Sequence, residues 1–174
     1  MYEITIFKNI KDTSTPFFRP VDTILERIKD GSSKDLVTQI RTENDKDKRN
    51  LLKQQLPSIC FSGTFNKRSD DSLMDHSGII CLDFDGFKTK AIMEKKKKEL
   101  CKDQYSYAVF ISPSGNGLKV LVRIPCDGEK HRSFFKALEK YYDCEEFDIT
   151  CKNVSRVCYE SHDPKLFVND DADI

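Results

Sequence analysis

The chain has 174 residues, 38% hydrophobic and 33% charged, a length that suits one domain or two small lobes on a shared core. Twelve Phe and six Tyr, with many Ile, Leu and Val, exclude a disordered chain, and no apolar run approaches the roughly 18 residues of a membrane span. The 29 basic and 29 acidic residues cancel, so whole-chain charge gives no nucleic-acid footprint, although segregated charge stays compatible with one.

Residues 2–7 alternate and are rich in β-formers, which predicts a strand. After Pro20, the spacing of Val21, Ile24, Leu25 and Ile28 predicts a helix that Gly31 ends. Leu36, Val37 and Ile40 predict a second helix. Residues 45–55 predict a third, highly charged one, stopped by Pro57. Residues 58–61 read as a short strand and 66–72 as a polar loop. Residues 78–84 form a strong buried strand, 89–101 a lysine-rich helix, and 105–111 with 118–124 a hairpin around a six-residue loop. An amphipathic helix follows over 129–142, and short strands are expected over 156–159 and 166–168. The division expected is an N-terminal helix-rich module over 1–76 and a sheet-bearing part over 77–174, joined as one compact unit. The class is mixed α and β.

The N-terminus shows no basic head, apolar stretch and cleavage site, so the expected compartment is the cytoplasm. Seven cysteines, odd in number and without a C-x-x-C, read as reduced and mostly buried thiols. Cys144, Cys151, Cys158 and His162 have spacings that match no usual zinc set. The run Lys95–Lys98 reads as a solvated helix face. The acidic end with Asp170, Asp171 and Asp173 reads as a solvated terminus suited to a linker. His131, at a charged helix start, reads as solvated, and His76 is the histidine nearest in sequence to the strand over 78–84.

Three segments carry chemistry. In Cys81-Leu82-Asp83-Phe84-Asp85-Gly86, strand alternation aims Asp83 and Asp85 the same way from the end of an apolar strand. Two carboxylates at one point repel unless a cation lies between them, and Mg²⁺ or Mn²⁺ suits such oxygens. The plainer alternative is an acidic Asp-Gly turn. In Ser112-Pro113-Ser114-Gly115-Asn116-Gly117-Leu118-Lys119, Ser112, Ser114, Gly115 and Gly117 make a tight loop whose N–H groups suit a phosphate, and Lys119 adds charge. An ordinary hairpin turn explains the same residues. Asp148 is a candidate third metal carboxylate or a turn acid. Arg156 is a candidate bidentate phosphate or carboxylate partner or half of a structural ion pair.

This order of motifs, with Ile40-Arg41, Leu51–Ile59 and Phe61-Ser62-Gly63-Thr64-Phe65 before it, resembles the VirE N-terminal domain family over roughly residues 35–169. That family looks like a divergent branch of the archaeo-eukaryotic primase superfamily. The resemblance implies an α+β, primase-like core, with an RRM-like mixed or antiparallel sheet palm packed on an N-terminal α/β module. It implies a nucleotidyltransferase of primase-polymerase type in DNA replication or mobile-element biology, with Asp83, Asp85 and Asp148 as catalytic acids holding Mg²⁺ or Mn²⁺. Ser114, Gly115 and Lys119 then fall in the nucleotide-phosphate motif, and Lys119 stands where primases usually have His. The partners implied are a nucleoside triphosphate, single-stranded or primed nucleic acid and a helicase domain or subunit, with no membrane. Two other readings compete. One is a nucleotide or single-strand binding module without turnover. The other is a haloacid-dehalogenase-like phosphatase using the first Asp as nucleophile, although Phe87 departs from that motif.

Overall fold

The computed structural model describes residues 3–174; Tyr2, at the start of the first predicted strand, lies outside them. The chain runs β1 (Glu3–Phe7), β2 (Phe17–Pro20), α1 (Val21–Asp30), α2 (Lys34–Thr42), α3 (Lys46–Lys53), β3 (Ser58–Cys60), β4 (Gly63–Phe65) and β5 (Leu73–His76). It continues through β6 (Ile79–Phe84), α4 (Lys90–Leu100), β7 (Ser106–Ile111), β8 (Leu118–Arg123), α5 (His131–Tyr142), β9 (Cys158–Tyr159) and β10 (Phe167–Val168). No helix among the described residues is long and apolar enough to cross a membrane.

Local chemistry sets the helix ends. Gly31, at φ 92°, closes α1 by donating its N–H to Arg27, a left-handed conformation that glycine adopts without a Cβ clash. Asp45 caps α3 by accepting from the N–H groups of Asp47 and Lys48 at 2.9 and 3.0 Å. Thr89 caps α4 through Ile92.

Every strand pair among the described residues is antiparallel. One sheet has the order β2-β1-β3-β9, a second the order β10-β7-β8-β6, and β4 and β5 form a ribbon. The strand Cys158–Tyr159 comes from the second half of the chain but extends the sheet of the first half, so the two halves interlock. The phosphatase reading needs a doubly wound parallel sheet, and β6 instead lies beside β8 in antiparallel register.

Period-two alternation gives β6 two different faces. Ile80, Leu82 and Phe84 join Val120, Val122, Met93, Leu100 and Phe135 in a core beneath α4 and α5. Ile79 and Cys81 face the other way, into a core shared with Ile4, Ile24, Ile28, Ile59 and Phe61 of the N-terminal half. Each fully buried aromatic contributes about 2–3 kcal/mol relative to exposure. Continued along the strand, the same alternation puts Asp83 on the face toward the N-terminal half, where the shared core ends and a cleft opens.

Several sequence expectations are corrected. His131 is buried at 2% exposure, not solvated: its Nδ1 lies 3.0 Å from His76 Nε2 because α5 starts against β5. Within the lysine run, Lys97 is not on the solvated face. It donates to the buried Asp163 at 2.6 Å and to the Lys165 carbonyl. The acidic end packs back on the sheet. Asn169 donates to Tyr107, Asp173 donates to Gln104, and Ala172 is buried in the shared core. Strands β2, β4 and β5 were not expected. β2 is an edge strand ending in Pro20, and β5 (Leu-Met-Asp-His) is only half apolar.

Candidate active site

The cleft holds about 480 Å³ and is lined from four directions: the end of β6, the 112–117 loop with Lys119, the segment around Cys151 and Arg156, and α3. Its acids are placed by backbone pairing. Asp83 sits in register with Lys119 of β8. On the other edge of β6, residues 146–148 add an antiparallel bridge: Phe84 pairs with Phe147, Asp148 N donates to Asp83 O at 2.9 Å, and Asp85 N donates to Glu146 O at 2.8 Å. Phe147 anchors that bridge by packing edge-on against Phe84 at 5.4 Å between ring centroids. Asp148, distant in sequence, therefore lands beside Asp83.

Ligand-capable atoms of Asp83, Asp148 and Cys151 all lie within 4.8 Å of one another. Asp85 lines the same cleft but does not join that group. Cys151 was not singled out as a site residue. Its Sγ lies 3.1 Å from Asp148 Oδ2, and the thiol is pushed up to about 12 by burial and by that hydrogen bond. Burial and the neighbouring charges of Asp83 and Asp148 raise Asp85 above the ordinary carboxylate range, the signature of acids gathered against their repulsion. Asp148 is lowered instead: burial opposes its charge, but hydrogen bonds from Thr150 and Cys151 and the charge of Arg156 prevail. Two hard carboxylate oxygens in this group and a third acid nearby fit Mg²⁺ or Mn²⁺, with the thiol as a softer neighbour.

Lys119 does not stand free. Its ammonium is ion-paired to Asp83, with both side chains less than one-fifth exposed. Burial disfavours the charge, but the Asp83 carboxylate more than offsets that and holds Lys119 above the ordinary lysine range. Arg156 lies in a turn before β9, with its guanidinium 3.9 Å from Asp148 and its side chain 43% exposed. It is positioned from the polar 66–72 loop: Asp70 accepts from the N–H of Ser155 at 3.0 Å and from its hydroxyl at 2.6 Å.

The loop is closed by Ser112 N donating to Gly117 O and Gly115 N donating to Ser112 O, both at 2.9 Å. Among the described residues, the N–H groups of Ser114, Asn116 and Gly117 have no protein acceptor, and all three residues line the cleft. Gly117 is needed for close approach, since an added Cβ would sit 2.9 Å from the Phe84 carbonyl. Gly115, at φ 77°, lies against the Arg41 side chain and not on the cleft lining. Arg41, noted in the sequence only for its resemblance, reaches across from α2 to donate to the carbonyls of Ser112 at 3.1 Å and His162 at 2.9 Å. It ties the loop to the C-terminal segment. The sequence also gave no sign that Lys46, Arg49, Asn50 and Lys53 of α3 line the cleft.

An antiparallel α+β fold with an acid-bearing cleft defines the class. Within it, the chain belongs to the BT4734-like, N-terminal domain family, whose model matches residues 51–167, inside the span over which the VirE resemblance was drawn. Among solved structures, the chain is similar to the AEP domain of the Cyanophage S-2L primase-polymerase, with 16% identity and a TM-score of 0.45 over 91% of this chain and 70% of that one. Comparison with curated proteins finds no match.

Proposed function

We propose that the cleft is the site of a primase-polymerase-like nucleotidyltransferase that binds a nucleoside triphosphate with Mg²⁺ or Mn²⁺ and acts on single-stranded or primed nucleic acid. The observation that carries the reading is the gathering of acids from two separate segments at one cleft: Asp83 and Asp85 line it together with a loop bearing unpartnered N–H groups, and Asp148 is brought beside Asp83 at its edge. Asp83 and Asp148, with Asp85 beside them, are the residues to hold the divalent cation. When bound, that cation supplies Lewis-acid chemistry at a nucleotide phosphate and lowers the pKa of an attacking hydroxyl. The residues do the rest. The N–H groups of Ser114, Asn116 and Gly117 donate to phosphate oxygens as an anion-binding concavity, and Arg156 approaches the same anion from the β9 side. Ser112, held by Arg41, fixes the loop. Lys119 neutralises Asp83 and brings a cation to the loop edge, so it balances charge as the polyphosphate arrives.

The Lys119–Asp83 ion pair also favours a second reading, a nucleotide-binding module without turnover, because a paired Asp83 is a poorer cation ligand. Incorporation of labelled nucleotide on primed and unprimed templates with Mg²⁺ or Mn²⁺ separates the two. Metal-dependent incorporation abolished by the double replacement Asp83→Asn and Asp85→Asn supports the enzyme. Tight nucleotide binding without incorporation in the wild type supports the module.

A further inference from the structure

Helix α3 presents Lys46, Arg49, Asn50 and Lys53 to the cleft, a spacing of three, four and seven residues that lies on one face of a helix. The remaining charged residues, Asp47 and Lys48, point away from this stripe, so the cleft side of the helix carries three cations and no acid. None of the three forms an ion pair or side-chain hydrogen bond among the described residues. Exposure is graded along the stripe: Lys53, at the inner end, is half-buried near Lys119 and Asp83, Arg49 is half-buried, and Lys46 is exposed at the outer end.

Lys53 is half-buried, with Arg49 and Lys119 opposing its charge and the already paired Asp83 favouring it, so the unpaired stripe is a favourable surface for a polyanion. Packing of α3 rests on Leu52 and involves none of the three cations. From Lys46 to Lys53 the axial distance is about 10 Å, close to the rise of three stacked nucleotides at about 3.4 Å each. Lys46 is the solvent-exposed end of the stripe, where a strand leaving the cleft passes it. We propose that the α3 stripe is the track for the phosphates of a single-stranded nucleic acid, leading its end toward Asp83 and Asp148. This deepens the nucleotidyl-transfer reading and rests on it for the direction of the strand.

The test uses the whole chain, a fluorescent oligothymidylate of about 12 nucleotides, and separately a fluorescent nucleoside triphosphate with Mg²⁺. Each phosphate contact to a single strand adds about 0.7 to the slope of log affinity against log salt. The triple variant Lys46→Gln, Arg49→Gln, Lys53→Gln is expected to lower that slope by about 2 and to weaken oligonucleotide binding at least about tenfold, a clearly larger loss than in triphosphate affinity. Lys48→Gln, on the opposite side of α3, is the matched charge control and is expected to change the slope by well under 0.7. If the triple variant folds poorly, the single variants Lys46→Gln and Arg49→Gln, at more exposed positions, carry the test with a slope loss of about 0.7 each. An unchanged slope, an equal effect from Lys48→Gln, or a triphosphate affinity that falls as far as oligonucleotide affinity overturns the proposal. The acids report separately: if Asp83→Asn abolishes nothing because the wild type incorporates nothing, the nucleotidyl-transfer reading fails while the strand-binding result stands on its own.

Discussion

The two walls of the cleft are built in opposite ways. The acidic wall is made of backbone. Asp83 and Asp85 end a core strand, Asp148 is stitched to that strand's free edge, and Phe84 and Phe147 lock the seam from behind. The basic wall is made of side chains on α3, a short helix held by one aspartate cap and by Leu52 packing beneath α2. Groups that must meet a small, hard cation need positions fixed to a fraction of an ångström, whereas groups that follow a flexible polyanion work from mobile stems. Changes to the acidic wall should therefore act on the reaction, and changes to the basic wall on binding and its salt dependence.

The largest effect expected is at the acids. Asp83→Asn should cut nucleotide incorporation by at least about 10²-fold, by analogy with loss of a single transition-state partner, and, because it strips the buried Lys119 of its carboxylate, should lower thermal stability as well, so the rate is read on protein shown to be folded. A residual rate within tenfold of wild type would put the chemistry elsewhere in the cleft.

Next in size is the frame that holds the walls together. Glu160, fully buried just after β9, accepts from Arg27 at 2.7 and 3.1 Å and from the Ser33 hydroxyl, and so ties the C-terminal segment to α1 and α2. Arg27→Ala leaves that carboxylate buried without its cation and should cost about 3 kcal/mol, a melting shift of roughly 10 °C. Because the frame carries both walls, this variant should lower binding and turnover together, which calorimetry and a paired activity assay would show.

A smaller effect follows from the histidine pair near the start of β6, the end away from Asp83. Gly78 N donates to His76 Nδ1, so His76 carries its proton on Nε2 and donates it to His131 Nδ1. Burial lowers both groups, His131 to about 4 with help from the neighbouring His76. A group lowered on folding takes up its proton in the unfolded chain first. Its stabilising contribution is full above about pH 6.5 and is lost as pH falls toward 4, to a limit of about 3 kcal/mol for His131. Chemical denaturation at pH 7 and pH 5 should show this slope, flattened in His131→Gln. An identical pH dependence in the two proteins would remove the pair as its source.

The smallest effect is expected at the loop. Gly117→Ala pushes a methyl toward the Phe84 carbonyl and should cost about 1–2 kcal/mol while weakening triphosphate binding. Arg41→Ala should raise the triphosphate KM severalfold with little change in stability, since the arginine holds the loop only through two carbonyls.

The acidic wall was largely legible before the fold. Alternation along residues 78–84 and the Ser–Gly hairpin placed Asp83, Asp85 and Lys119 at one end of a sheet, because these are local patterns with a fixed period. The pairing of residues 146–148 with β6 was not legible, since a single bridge leaves no periodic mark. Lys119 was assigned to phosphate on its charge and on the resemblance; its register opposite Asp83 became visible only when β6 and β8 were aligned. The basic wall went unnoticed for another reason. A charged helix on the surface and a charged helix facing a cleft have the same composition, and only tertiary packing decides which side of α3 meets the acids. His131 was misread likewise, because the charged residues around it face water while its own ring turns inward against His76.

The most direct measurement is a crystal structure with Mn²⁺ and a non-hydrolysable nucleoside triphosphate, located by the anomalous scattering of manganese. The account predicts manganese bound by Asp83 and Asp148, the phosphates against Ser114, Asn116 and Gly117, and Arg156 turned toward them. Manganese bound away from these carboxylates, or a triphosphate lodged outside the cleft, would contradict it.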